Sequence, residues 1–168
     1  MVKITTHEWS TLSVHCIPQV TALHLAAWFN SASAVKVIVE AGGDINACDD
    51  NQRTLLHYAA QFQDVDVVKM IINTSEADVR AVDKDDQTAL HIAARYNPSG
   101  DVIRTLVDAG SLVDARADYD GHFTQWTPLH FAAKGNPSAD VIHALVDNGA
   151  DVYICDDKQQ TPLHLAAR

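Results

Sequence analysis

No apolar run in this sequence approaches the roughly 18 residues that a membrane-spanning helix needs. The opening stretch, MVKITTHEWSTLSVHC, holds no continuous apolar region of the kind a secretory signal carries. Cysteine is scarce. Cys16, Cys48 and Cys155 are too few and too scattered for a disulfide framework, so a reducing, cytoplasmic setting is expected, one compatible with delivery into a host cell. Positive charge is short as well: 12 Lys and Arg against 22 Asp and Glu give a net charge of −10 with the nine histidines neutral. That argues against a generic DNA binder, which draws on clustered cations, and leaves room only for a local basic patch. GxSxG, P-loop and GxGxxG motifs are absent. HEWST lacks the second histidine of a zinc protease helix, and ADYDG lacks the ligand run of a calcium loop.

What the sequence does have is ordinary folded-protein composition, 47% hydrophobic and 20% charged over 168 residues, and it repeats itself. TALHLAA at 21–27 recurs as TLLHYAA at 54–60, TALHIAA at 88–94, TPLHFAA at 127–133 and TPLHLAA at 161–167, with the threonines 33, 34, 39 and 34 residues apart. A second apolar-periodic segment follows each of the first four copies, for example SGDVIRTLVDAGSLVDA and SADVIHALVDNGADVY. Polar turns (CDDNQR, VDKDDQ, CDDKQQ) then lead to the next threonine. Each threonine suits a helix N-cap, and Pro128 and Pro162 suit the first helical position. Paired alanines let neighbouring helices approach closely. Asn97-Pro98 and Asn136-Pro137 read as cap and first turn of second helices. Val102, Ile103, Leu106 and Val107, repeated as Val141, Ile142, Leu145 and Val146, give the buried face. Gly42, Gly110 and Gly149 fit the left-handed residue that ends a helix.

This pattern resembles the ankyrin repeat, over residues 21–168. The resemblance implies an all-α solenoid of stacked antiparallel helix pairs with β-hairpin-like fingers at the junctions. Repeats start near 21, 54, 88, 127 and 161, the last incomplete, and residues 1–20 form an irregular segment or cap using Trp9, Leu12 and Val14. The natural protein is expected to continue beyond the incomplete fifth repeat. One departure stands at the turn glycine two residues before threonine, replaced by Gln52, Asp86 and Gln159. A positive φ there costs about 1 kcal/mol without glycine, so looser fingers are expected.

The motif histidines, His24, His57, His91, His130 and His164, invite a metal reading. Stacked helices lie about 8–10 Å apart, whereas zinc ligands sit about 2.0–2.3 Å from one centre, so such a row cannot converge on one ion. The resemblance implies instead that each histidine bonds its own threonine and backbone at the base of a finger. Cys48 and Cys155, three repeat steps apart, are out of disulfide range. No metal, cofactor or catalytic residue is expected, and the chain is not expected to be an enzyme.

The resemblance places partner binding on the concave face, made of finger tips and the exposed ends of first helices. Seven residues after the threonines stand Trp28, Gln61, Arg95, Lys134 and Arg168; eight after stand Phe29, Phe62, Tyr96 and Gly135. The fingers add Arg53, Lys84 and Lys158, with Asp50, Asp85 and Asp157 as the acids. An aromatic stripe of Trp28, Phe29, Phe62 and Tyr96 suits interface anchors, although such rings also pack over helix ends. The third junction carries five extra residues. Asp120-Gly121 is a two-residue hairpin signal, so a lengthened finger is expected, with an aromatic surface of Tyr119, His122, Phe123 and Trp126; a tolerated surface insertion is the bland alternative. The expected function is a non-catalytic module binding a protein or peptide. The alternatives are a targeting or regulatory segment of a larger enzyme, or a binder of an anionic ligand such as an oligonucleotide near Arg95, Lys134 and Arg168. On the first reading Trp28→Ala, Trp126→Ala and Arg95→Glu would weaken binding and leave the fold intact.

Overall fold

A computed structural model describes residues 21–29, 31–62, 65–74, 77–119 and 121–167. The expected cap over 1–20, with Trp9, Leu12 and Val14, lies outside these residues, as do Asp120, Arg168 and the side chain of Phe123. First helices are α1 (Ala22–Trp28), α3 (Leu55–Phe62), α5 (Ala89–Tyr96), α7 (Pro128–Gly135) and α9 (Pro162–Ala166). Second helices are α2 (Ala32–Glu40), α4 (Val65–Ile72), α6 (Gly100–Asp108) and α8 (Ala139–Asp147). Each first helix packs on the next in one row, and α4, α6 and α8 form a second row behind it. Small side chains allow this approach: Ala27, Ala59, Ala60, Ala93 and Ala94 are fully buried. The solenoid is therefore two helices deep, and each repeat buries its apolar face only against its neighbours.

Gly42, Gly110 and Gly149 take φ of +84°, +101° and +89° at the ends of α2, α6 and α8, as expected. The second helices start later than the Asn-Pro pairs suggest, at Gly100 and Ala139 with Ser99 and Ser138 as N-caps. Asn97 and Asn136 instead cap the C-termini of α5 and α7. Their side-chain amides reach back one repeat, Asn97 Nδ2 to the Ala60 carbonyl at 3.0 Å and Asn136 Nδ2 to the Ala94 carbonyl at 2.9 Å. Of the expected buried face, Val102, Ile103, Leu106, Val141 and Leu145 are fully buried, Val107 and Ile142 partly so, and Val146 is exposed.

The fingers close despite the missing glycines. Gln52, Asp86 and Gln159 adopt φ of 61°, 58° and 59°, and their amides donate to Asp49, Asp83 and Asp156 carbonyls at 2.9–3.1 Å. At the third junction the insertion forms an antiparallel pair, β1 (Ala117–Tyr119) with β2 (His122–Trp126). Pairing runs Tyr119 with His122 and Ala117 with Trp126, so β2 carries two extra residues as a bulge. Gln125, two residues before Thr127, takes φ 55° and so keeps the position's left-handed geometry through the bulge.

One close approach joins the second helices α6 and α8. The Gly100 amide donates to Asp140 Oδ2 at 2.7 Å, and Arg104 bridges Asp101 and Asp140 beside it. A Cβ at position 100 would lie 2.8 Å from the Asp140 carbonyl oxygen. Gly100→Ala is expected to lower the urea midpoint by an amount equivalent to about 1–3 kcal/mol with little change in slope; an unchanged midpoint would show that α6 and α8 separate freely.

Candidate binding surface

The first four motif histidines form a buried row at the bases of the fingers. His24 Nδ1 sits 3.1 Å from the Thr21 amide and 2.9 Å from its hydroxyl, and His24 Nε2 sits 2.9 Å from the Arg53 carbonyl of the next finger. His57 repeats this with Thr54 and the Gln87 carbonyl, His91 with Thr88 and the Ala115 carbonyl, and His130 with Thr127 and the Gln160 carbonyl. The amide can only donate and the carbonyl can only accept. Each ring is therefore the tautomer with Nδ1 bare and Nε2 protonated. Both nitrogens of these four rings serve the scaffold, which leaves neither for a metal or for proton transfer. Burial holds all four below the ordinary histidine pKa, His91 at about 4, against the opposing pull of their carbonyl partners.

A second row escapes a motif search. Asp49, Asp83 and Asp156 each stand five residues before a threonine and are buried. Each carboxylate accepts two amides of its own turn: Asp49 Oδ1 takes those of Asn51 and Arg53, both at 2.8 Å, and Asp156 Oδ1 takes those of Lys158 and Gln160 at 2.9 and 2.7 Å. Burial pushes Asp49 up, but the Tyr58 hydroxyl at 2.7 Å and these two amides outweigh it and leave its pKa lowered. In Asp83 and Asp156 the other carboxylate oxygen takes a donor from the preceding finger, where Asp49 Oδ2 takes the Tyr58 hydroxyl. Arg53 Nε reaches Asp83 Oδ2 at 3.1 Å, and Trp126 Nε1 reaches Asp156 Oδ2 at 3.1 Å. Counting back from threonine would have found both rows: the aspartates at minus five, and Trp126 at minus one, in line with Arg53.

That position corrects the expected aromatic finger. Trp126 is only 7% exposed. It packs edge-on against Phe131 with centroids 5.4 Å apart and lies parallel to His130. Trp126 is thus a core residue and not the exposed finger ring expected. Its indole donor has a buried acceptor and its rings have fixed neighbours, so removing it would take apart the junction. Tyr119 is half-buried against Trp126 at 4.5 Å and Phe131 at 5.7 Å, and presents only part of its ring. His122 is exposed, and Phe123 lies in β2.

The other expected residues fall on the surface in two groups. Trp28 is 51% exposed and touches Phe62, 36% exposed, with centroids 5.1 Å apart; Phe29 is exposed beside them. In the second group the Arg95 guanidinium lies 4.5 Å from the Tyr119 ring centroid and 4.7 Å from that of Tyr96. With Phe131, Lys134 and Gly135 these residues line a cleft of about 240 Å³. Among the fingers, Lys84 Nζ donates to Asn51 Oδ1 at 2.7 Å, Arg53 pairs with Asp83, and Lys158 is exposed. Cys48 and Cys155 are free thiols.

Stacked antiparallel helix pairs, hairpin fingers and a repeated Thr–His bond to the next finger define a helical-repeat solenoid. A family model for ankyrin repeats (3 copies) matches residues 23–117 and 111–168. The chain belongs to the ankyrin repeat family, whose repeats are generally protein–protein interaction modules and typically non-catalytic. No helix among the described residues is long and apolar enough to cross a membrane.

Two tests follow from this geometry. Unfolded histidines titrate near 6.5 and folded His91 near 4. Between those values the unfolded chain binds more protons, so stability falls as pH drops from about 6.5 to about 4. His91 alone contributes a loss of roughly 3 kcal/mol, at about 1.4 kcal/mol per pKa unit. Urea midpoints measured across this range should decline, and the decline should shrink in His91→Gln; a flat profile would mean the rings are not held neutral. Separately, Trp126→Ala should destabilise by about 3–5 kcal/mol, whereas His122→Ala should stay within about 0.5 kcal/mol, read by the same denaturation.

Proposed function

We propose that this chain is a non-catalytic recognition module that holds a protein or peptide partner on the concave face formed by its finger tips and first-helix ends. The observation that carries this reading is the aromatic row: Trp28, Phe29, Phe62 and Tyr96 stand exposed at the ends of α1, α3 and α5. Apolar rings of that size in the open are interface anchors more than scaffold, because burial by a partner removes their area from water. The histidines beneath, fully occupied by structural bonds, supply rigidity and no chemistry. Lys84, Lys134 and Lys158 ring the same face with exposed cations, which would orient a partner more than add affinity.

The test uses immobilised full chain to capture partners from a lysate of the source cells, with captured proteins confirmed by direct binding. Trp28→Ala with Phe62→Ala should weaken a confirmed partner by at least tenfold, while circular dichroism and the urea midpoint stay near those of the parent chain. A partner that binds the double variant undiminished would place recognition elsewhere on the molecule.

A further inference from the structure

The row of rings along the first helices breaks once. At the position eight residues after threonine, the first three repeats carry Phe29, Phe62 and Tyr96, and the fourth carries Gly135. Gly135 ends α7, and a Cβ added there would meet nothing within 4 Å. Where the earlier repeats project a ring, this one leaves a cleft of about 240 Å³ between the third and fourth repeats. Arg95, Tyr96, Tyr119, Phe131, Lys134 and Gly135 line it. Phe131 is buried and forms the floor, while Tyr96, Lys134 and Gly135 are exposed at the mouth. Arg95 belongs to the wall. Its guanidinium lies 4.7 Å from the Tyr96 ring centroid and 4.5 Å from that of Tyr119. It gives the wall a fixed positive charge, whatever its N–H groups are bonded to.

We propose that this cleft receives a single aromatic side chain of the protein or peptide held on the concave face. This deepens the concave-face reading and rests on it. Size sets the first limit. An apolar space of about 150 Å³ holds a benzene ring, so a cleft of about 240 Å³ takes one ring and not a pair. Water against ring faces is poorly held, and an apolar group that displaces it gains affinity. A ring set against Tyr96, Tyr119 and Phe131 also gains from aromatic pairing, which an aliphatic side chain lacks. Charge makes the same choice. Lys134, exposed beside Gly135, brings an ammonium to the mouth, and a cation is drawn to the face of a ring. The chain already makes that pairing within the wall, between Arg95 and its two tyrosines. Both charges repel a Lys or Arg side chain. The partner thus meets rings at the first three repeats and a hole at the fourth, and it needs a projecting ring only at that end.

Selection from a displayed library of random linear peptides on the full chain, followed by titration of the enriched sequences, tests this. The expected result is a shared aromatic residue whose change to Ala raises Kd by about tenfold or more and whose change to Lys abolishes binding. Gly135→Phe fills the cleft with the chain's own ring and should raise Kd by a similar factor, with circular dichroism and the urea midpoint unchanged. Gly135→Leu, a smaller filler, should act in the same direction and serves where the larger one disturbs the fold. Gly135→Ala leaves most of the space open and should change Kd by less than about threefold. Lys134→Gln should weaken the aromatic peptides more than their leucine counterparts. Binding that is lost with Trp28→Ala and Phe62→Ala but indifferent to Gly135→Phe would overturn the cleft and leave the concave-face reading standing. Sensitivity to Gly135→Phe in peptides whose shared residue is aliphatic or acidic would overturn the aromatic assignment. A library that enriches no sequence would overturn the cleft, and binding indifferent to both sets of variants would overturn both readings.

Discussion

Each junction of this solenoid from the first repeat to the fifth hangs on one imidazole. The ring takes an amide proton from the threonine that caps its own helix and gives a proton to a carbonyl of the next finger. The bond directions leave one neutral tautomer, and burial enforces it. Protonating Nδ1 would both charge a buried group and set a donor against the threonine amide. A one-dimensional array stands or falls on its nearest-neighbour interfaces, so a uniform relay at each of them makes the stack register itself. Its cost is acid sensitivity spread along the array.

The five-residue insertion shows how strongly that relay is conserved in the geometry of the fold. His91 bonds the Ala115 carbonyl and also meets the backbone of Trp126, the residue before Thr127, so the relay persists across the longer junction. The bulge in β2 absorbs the remaining length and keeps Gln125 left-handed, so Thr127 enters α7 as its counterparts enter theirs. The hairpin then folds back. Trp126, Ala117, Phe131 and Leu165 make a small second core, with Tyr119 leaning on it. Because Tyr119 is held there, its outer face is available to Arg95. The insertion contributes to the surface indirectly, by positioning one wall of the cleft, and less by displaying its own rings.

Repeat period, helix pairs, closing glycines and the structural character of the histidines were legible because each follows from spacing and from one residue's chemistry. The aromatic group at Trp28, Phe29 and Phe62 was legible for the same reason: equal offsets from threonine reach equal places on equal helices. Trp126 was misread because its neighbours in sequence, DYDGHFTQ, suggested a projecting loop, whereas its offset from Thr127 matches Arg53 and Gln87, whose side chains also point to the next finger. Register outranked local context. The tolerance of Gln52, Asp86 and Gln159 for positive φ was hidden for another reason. The buried aspartate three residues earlier binds the turn's amides, and that offsets a backbone strain of about 1 kcal/mol.

Those aspartates also change what the net charge means. Asp49, Asp83 and Asp156 are counted in the −10, yet each is buried and answered by backbone amides, and Asp83 by Arg53 as well. A carboxylate bonded in this way projects little field toward a partner. Arg104 is likewise consumed by Asp101 and Asp140, while Lys134 and Lys158 are exposed. Formal charge describes the titration of the chain; the potential a ligand meets depends on which charges are already answered inside. An acidic protein can therefore present exposed cations such as Lys134 and Lys158 without contradiction, and the acids that dominate its formal charge are in part the ones that shape its fingers.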